Sequence, residues 1–285
     1  MTQKRSTFLL TVMCFGFAFL YVPILLLVGY SFNESKLVTV WGGFSTKWYF
    51  ELFKNDLIID AALLSLRVAA ISATFAVAFG TLAGLALARF GRFRGRVLFT
   101  GMITAPLVMP EVITGLSLLL LFVSLEGVIG WPQGRGATTI TIAHITFSMA
   151  YVAIIIQSRL TGVDESLEEA AMDLGSRPLR VLFDITLPII SPAMISGWLL
   201  SFTLSLDDLV IATFTSGPGS STLPMVIFSK VKLGVKPDVN ALATIIITVV
   251  TIGVILAGWL MFRQEKQRQR DAQMAAAENM AAQAT

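Results

Sequence analysis

Six stretches of this chain, 8–32, 61–88, 97–125, 138–157, 190–214 and 241–262, are apolar over the roughly 20 residues that a helix needs to cross a bilayer. Backbone inside hydrocarbon must satisfy its own hydrogen bonds, so each run is predicted to be α-helix. Composition agrees with that reading. Apolar residues make up 55% of the chain and charged residues only 14%, and a soluble domain so composed could not cover its surface with polar groups. The expected fold is an all-α, polytopic membrane protein with one six-span domain, 8–262, between a short N-terminal segment, 1–7, and a C-terminal tail, 263–285. Lys4 and Arg5 ahead of the first run imitate a signal peptide, but that run is too long for a signal core and no small-residue cleavage pattern follows it. It is read as an uncleaved span. Pro106 and Pro110 interrupt the third run, which predicts a kink or break there.

Orientation follows from the loops, because Lys and Arg accumulate on the cytoplasmic side. With the N-terminus inside, 13 of the 21 basic residues fall on that side, four of them between Arg89 and Arg96. Both termini are therefore expected in the cytoplasm. The external segments are 33–60, 127–137 and 215–240, and Trp41, Trp48 and Tyr49 in the first suit a short interfacial helix. The basic residues sit in short clusters between apolar runs rather than on one soluble face, which argues against nucleic acid as a partner. Cys14 is the single cysteine, so no internal disulfide forms. No Cys, His and carboxylate spacing resembles a metal site, no internal repeat is evident, and paired halves of a duplicated carrier are not seen.

The connection 161–188, within a loop spanning 159–189, is long and patterned. Ser166 and Glu169 have the spacing of a capping box, predicting a helix from about Leu167. Gly175 is placed to end it in a left-handed cap, and Ser176 with Pro178 to open a second helix through Leu182 and Phe183, lying across the membrane face. An ordinary amphipathic surface helix would show the same signals. The full spacing says more. Glu169, Ala170 and Ala171, then Gly175, Ile185, Leu187 and Pro188 reproduce the E-A-A-x3-G-x9-I-x-L-P pattern and resemble the loop of ABC importer permeases. That resemblance implies the type I permease fold, with these residues docking on a separate ATPase. No G-x-x-x-x-G-K-[ST] stretch occurs, so ATP and Mg are expected on that partner, with no cofactor and no enzymatic activity on this chain.

Ionisable residues within spans usually mark pathways or pairs. Here they are Arg67, Glu111, His144, Asp207 and Asp208. Helical rise places all of them in one layer in the outer third of the membrane. The layer predicts a polar cavity open to the outside, three carboxylates against one arginine and one histidine, suited to a cation. Adjacent residues lie about 100° apart on a helix, so Asp207 and Asp208 cannot both face it. One is expected to line the pathway and the other to pair with Arg67, His144 or a neighbouring subunit. A purely structural role for each group stays open, and Phe147, Tyr151, Trp198 and Phe202 are read as packing.

Beyond the loop, ITAPLVMPEVITGLSLLLLF, SGWLLSFTLSLDDLVIATFTSGPG, TLPMVIFS and NALAT are similar to the second permease of putrescine and spermidine importers. The resemblance implies a homologous permease, two ATP-binding cassette subunits and an external polyamine-binding protein as partners. A polyamine carries two or more ammonium groups, which the acidic layer of Glu111, Asp207 and Asp208, read independently from depth, would suit. The same machine for another solute, a proton-coupled carrier using Glu111 and Asp207 as relays, and a structural scaffold are the alternatives.

Overall fold

The computed structural model describes residues 7–37, 40–234, 237–253, 255, 259 and 263. Among these the chain is helical, and strand-like pairing is confined to one isolated bridge between Asn33 and Phe44. In chain order the elements are α1 (Thr7–Tyr30), α2 (Lys47–Phe53), α3 (Asp56–Arg89), α4 (Arg96–Val108) and α5 (Glu111–Ile129). There follow α6 (Ala137–Thr161), α7 (Ser166–Asp173), α8 (Pro178–Val181), a π-helical turn (Leu182–Thr186) and α9 (Leu187–Asp207). The last are α10 (Val210–Thr215), α11 (Leu223–Leu233) and α12 (Pro237–Gly253).

Five of the described helical segments are long and apolar enough to span a membrane: Phe8–Tyr30, Asp56–Arg89, Glu111–Ile129, Ala137–Thr161 and Pro178–Asp207. The sixth predicted run is represented by α12, and most of 254–262 lies outside the described residues. So do Lys4, Arg5, Lys236, Lys266, Arg268 and Arg270, which entered the orientation argument.

The predicted third span divides into α4 and α5 at Met109 and Pro110, both extended with ψ 137. Pro110 has no N–H to continue a helix and disfavours helical geometry in the residue before it. Pro106, by contrast, is accommodated inside α4. The fifth span also breaks, at Asp208, which no proline explains. Its first end differs from expectation too: the second loop helix is not a separate element. It runs through the π-helical turn directly into α9, forming one segment, Pro178–Asp207. Leu187 N–H bonds back to Leu182 O, and Pro188 offers no N–H, a common setting for a π-turn. Hydropathy did not anticipate α11 in the segment 215–240; its first N–H, on Leu223, donates to Ser65 Oγ of α3 at 2.8 Å.

The chain resolves into two compact units, residues 1–55 with 233–285, and residues 56–232. In the first, none of the residues from 8 to 30 is buried. The loop after α1 is organised on Asn33, whose side chain accepts from Ser35 and Gly42 N–H and donates to Val40 O, while Trp48 of α2 donates to Asn33 O. Of the aromatic residues expected at the interface, Trp48 is thus a buried strut and Trp41 is exposed.

The second unit is built on α3, α6 and α9. Ala76, Val77, Val152, Ile156, Leu160 and Ile190 form its main apolar cluster. The helices approach closely because α3 carries Gly80 and Gly84, one turn apart, on the face toward α6. A Cβ at Gly80 would lie 2.6 Å from Val152 Cβ, and one at Gly84 would lie 2.8 Å from Ala153 O. Small residues at this spacing let membrane helices gain dispersion energy where the hydrophobic effect is absent. Gly84→Val is therefore expected to lower the thermal unfolding midpoint of the purified protein, with an overpacking cost on the order of 1–3 kcal/mol. Gly101→Ala on α4, where a Cβ meets open space, should leave the midpoint unchanged.

Candidate functional site

Both helix breaks open onto one cavity of about 520 Å³. The ends of α4 and α9 reach it through Met109 and Leu204, and the start of α5 reaches it through Glu111. Asp207 and Asp208 line it from the other break, and α6 contributes Phe147 and Tyr151. A helix C-terminus carries partial negative charge in its unpaired carbonyls. The N-termini of α5 and α10 at the same breaks bring the opposite partial charge, so it is the three carboxylates that make the field of the cavity negative. Glu111 and Asp207 are exposed to it. Among the described residues no basic side chain forms an ion pair with either.

Asp208 is different: it is buried and fully engaged. Its Oδ2 lies 3.1 Å from His144 Nε2 and accepts the Ala212 N–H at 2.7 Å, while Oδ1 accepts the Ile211 N–H at 3.3 Å. On its other side, His144 Nδ1 lies 2.6 Å from Ser205 Oγ. One neutral tautomer satisfies the whole chain, with Nε2–H donating to the carboxylate and Nδ1 accepting the Ser205 hydroxyl. The network replaces the lost helical hydrogen bonds at the break by side-chain bonds and caps α10 from Asp208. It also separates the two aspartates by function, leaving Asp207 with the free carboxylate.

Arg67 is not part of this arrangement. It sits in a separate groove of about 500 Å³ with Leu64, Phe75, Phe79, Thr138 and Thr141, between α3 and the first turns of α6. The single charged layer inferred from helical rise thus divides by azimuth, because depth along a helix says nothing about which face a residue occupies. Among the described residues no cluster of His, Cys, Asp and Glu is arranged to hold a metal ion.

The loop between α6 and α9 carries the Glu169 motif. Its expected capping box does not form: α7 begins with no side-chain cap, and Ser166 N–H instead donates to Asp164 Oδ1 at 3.0 Å. This backbone bond, with a second from the Ser166 hydroxyl, holds the exposed Asp164 carboxyl below its usual range. The other end of α7 does follow its pattern. Gly175 has φ +89, Gly175 N–H bonds to Met172 O at 2.9 Å and Ser176 N–H to Ala171 O at 3.1 Å, which is a Schellman cap. Glu169 and Ala170 are exposed and Ala171 is half-buried. Ile185 lies in the π-helical turn, and Leu187 and Pro188 open α9.

One group that sequence reading passed over organises the inner face of the loop. Arg89, the last residue of α3, donates to Glu165 and Glu168 and to the carbonyls of Leu160 and Val163, and Glu168 in turn accepts the Thr186 hydroxyl at 3.1 Å. Its place beside three further arginines led it to be counted only toward orientation.

Residues 76–270 match the family described as the binding-protein-dependent transport system inner membrane component. The chain is 61% identical over 271 residues to the putrescine transport system permease protein PotI of Escherichia coli K12, covering 95% of this chain and 96% of that one. It is 43% identical over 260 residues to the spermidine/putrescine transport system permease protein PotC of Haemophilus influenzae, covering 91% and 96%. Among solved structures, a chain of a bacterial ABC transporter that imports the acidic polysaccharide alginate superimposes with a TM-score of 0.71 at 16% identity, covering 90% of this chain and 99% of that one. This last likeness concerns the fold.

The Ser205–His144–Asp208 network yields a stability expectation. His144→Leu leaves a buried carboxylate and a buried hydroxyl without their shared partner, at a cost on the order of 1–3 kcal/mol. The thermal midpoint should fall. Combining His144→Leu with Asp208→Asn, which keeps an acceptor for the α10 N–H groups, should recover part of the loss.

Proposed function

This chain belongs to the family of binding-protein-dependent transport system inner membrane components, and from that premise we propose that it forms, with a homologous permease, the inner-membrane path of a polyamine importer. The observation that carries the substrate class is the cavity at the two helix breaks. Glu111 and Asp207 present carboxylates there with no cationic partner among the described residues. Such charges at membrane depth are costly unless a cation or water meets them. A polyamine supplies two or more ammonium groups joined by flexible methylene chains. Its ammonium groups match the carboxylates, and Phe147 and Tyr151, half-buried beside them, offer ring faces to the same cation. A volume of about 520 Å³ lies within the range typical of small-molecule sites, roughly 300–1,000 Å³.

The fold does not select this substrate, since a chain from an importer of an acidic polysaccharide shares it. The selection lies in side chains placed on the fold. Anionic solutes are disfavoured by three carboxylates on one cavity.

The energy enters through the loop. Glu169, Ala170, Ala171 and Gly175 present a short helix with small side chains and a tight glycine turn, a shape suited to a groove in another protein. Its expected occupant is one of two ATP-binding cassette subunits, which bind ATP and Mg. An external polyamine-binding protein delivers substrate. This chain performs no chemistry of its own; its loop with both termini faces the cytoplasm, and the domain limits are those of the six-span reading, 8–262, with the tail 263–285.

Two conservative substitutions test the path. Asp207→Asn and Glu111→Gln remove charge and leave shape, so each is expected to lower putrescine uptake into cells or proteoliposomes about tenfold or more, roughly 1.4 kcal/mol or above. Co-purification of the ATPase should persist. Uptake at the unaltered rate in both variants would refute the proposed role of the cavity. Survival of uptake after Glu169→Ala, together with its collapse on addition of an uncoupler, would favour a proton-coupled carrier instead.

A further inference from the structure

All five N–H donors of Arg89 are engaged. Nε and one Nη2 hydrogen meet Glu168, the other Nη2 hydrogen meets Val163 O, and the Nη1 pair meets Glu165 and Leu160 O. These contacts are 3.0–3.5 Å long, and the side chains of Arg89 and Glu168 are only 14% and 18% exposed. Glu165 is largely exposed, so its pair contributes little; the buried half of the network is the anchor. Glu168 Oε1 also accepts the hydroxyl of Thr186, a residue that is itself buried and sits in the π-helical turn immediately before α9. One guanidinium therefore ties together the inner end of α3, the last turn of α6, the first turn of α7 and the root of α9.

We propose that Arg89 is a positioning residue for transport: it fixes the Glu169 helix to the root of α9, so that displacement of the loop reaches Asp207 as movement of one body. The proposal rests on the docking role given to the loop above. The motif residues themselves do not supply this link. Glu169 and Ala170 face outward, and α7 is only two turns long, too short to hold its own geometry by helical bonds. Without Arg89 the loop remains joined to α9 by the chain, past the glycine turn at Gly175, and by the Glu168–Thr186 hydrogen bond, whose carboxylate Arg89 no longer holds in place. Lysine cannot substitute fully. An ammonium has three donors and no planar fork, so it cannot hold two carboxylates and two carbonyls at once.

The test uses the complete transporter, this permease with its partner permease, ATPase and binding protein, reconstituted in vesicles. ATP hydrolysis and uptake of radiolabelled putrescine are read together as uptake per ATP. Arg89→Ala is expected to leave assembly and ATP hydrolysis near the wild-type level while uptake per ATP falls by an order of magnitude. Arg89→Lys should fall between, and the exchanged pair Arg89→Glu with Glu168→Arg should recover part of the coupling. Hydrogen exchange is measured on the same samples, and Arg89→Ala should accelerate exchange in 166–175 and 182–186 together. An unchanged ratio in Arg89→Ala overturns the proposal, as does a proportional fall of uptake and hydrolysis. If Arg89→Ala fails to assemble, Arg89→Lys decides, and an unchanged ratio there overturns it. Absence of ATP-driven uptake in the wild type counts against the proposed function alone, and unaltered exchange in Arg89→Ala then still overturns the clamp.

Discussion

Hydrocarbon offers no hydrogen bonds, so a chain that crosses it can interrupt its helices only where something else serves the freed backbone groups. This constraint explains where the site lies. Two spans break, one at Met109–Pro110 and one at Asp208–Leu209, and both breaks face the same cavity. Breaks facing lipid would leave carbonyl and N–H groups bare at several kcal/mol each. Breaks that converge on a polar space instead furnish it with helix ends. The breaks that the polar space permits are also what bring Glu111 and Asp207 to it.

The second break also shows how a pair of adjacent acids acquires two roles. Asp207 ends α9 within helical geometry, and Asp208 turns extended, with φ −65 and ψ 124. That change sends Asp208 inward to His144 and to the N–H groups of Ile211 and Ala212. Its carboxylate is met by three donors, His144 Nε2 and the N–H groups of Ile211 and Ala212. Asp207 keeps its charge available because its neighbour has taken the local donors.

What could be read from the sequence, and what could not, divides along the same physical lines. Properties that belong to a residue and its immediate neighbours were legible: the break before Pro110, the left-handed Gly175, the apolar runs, the short helix at Trp48. The loop motif was legible as a spacing. Properties requiring two distant segments were not. Helical rise put Arg67 in one layer with the acids but said nothing of its azimuth, and the structure assigns it to another groove. Ser166 and Glu169 had the spacing of a capping box, yet Asp164, closer along the chain, took the Ser166 N–H first. Gly80 and Gly84 looked like ordinary residues of an apolar run until Val152 and Ala153 of α6 were seen against them. Arg89 read as one positive charge among four, since its partners Glu165, Glu168 and Leu160 lie more than seventy positions away.

The connection between loop and cavity is then a question of stiffness. From Leu187 to Asp207 runs a 21-residue helix, about 31 Å at the usual rise, with Pro192 accommodated inside it. It is held laterally, where Gly197 faces Val152 of α6 and Trp198 donates to Thr74 of α3 at 3.2 Å. A helix packed this way resists bending but can slide or rotate against its neighbours, as packed helices do in shear motions. Its weakest points are at its ends: the π-helical turn below, whose hydrogen bonds are out of helical register, and the extended Asp208 above. A displacement applied at Thr186 therefore concentrates its deformation at the two places where Arg89, through Glu168, and His144, through Asp208, make side-chain contacts. The first contact sets what the helix receives from the loop. The second sets how far Asp207 can turn relative to the cavity when the helix moves, because Asp208 is anchored to α6 and α10 while Asp207 is not.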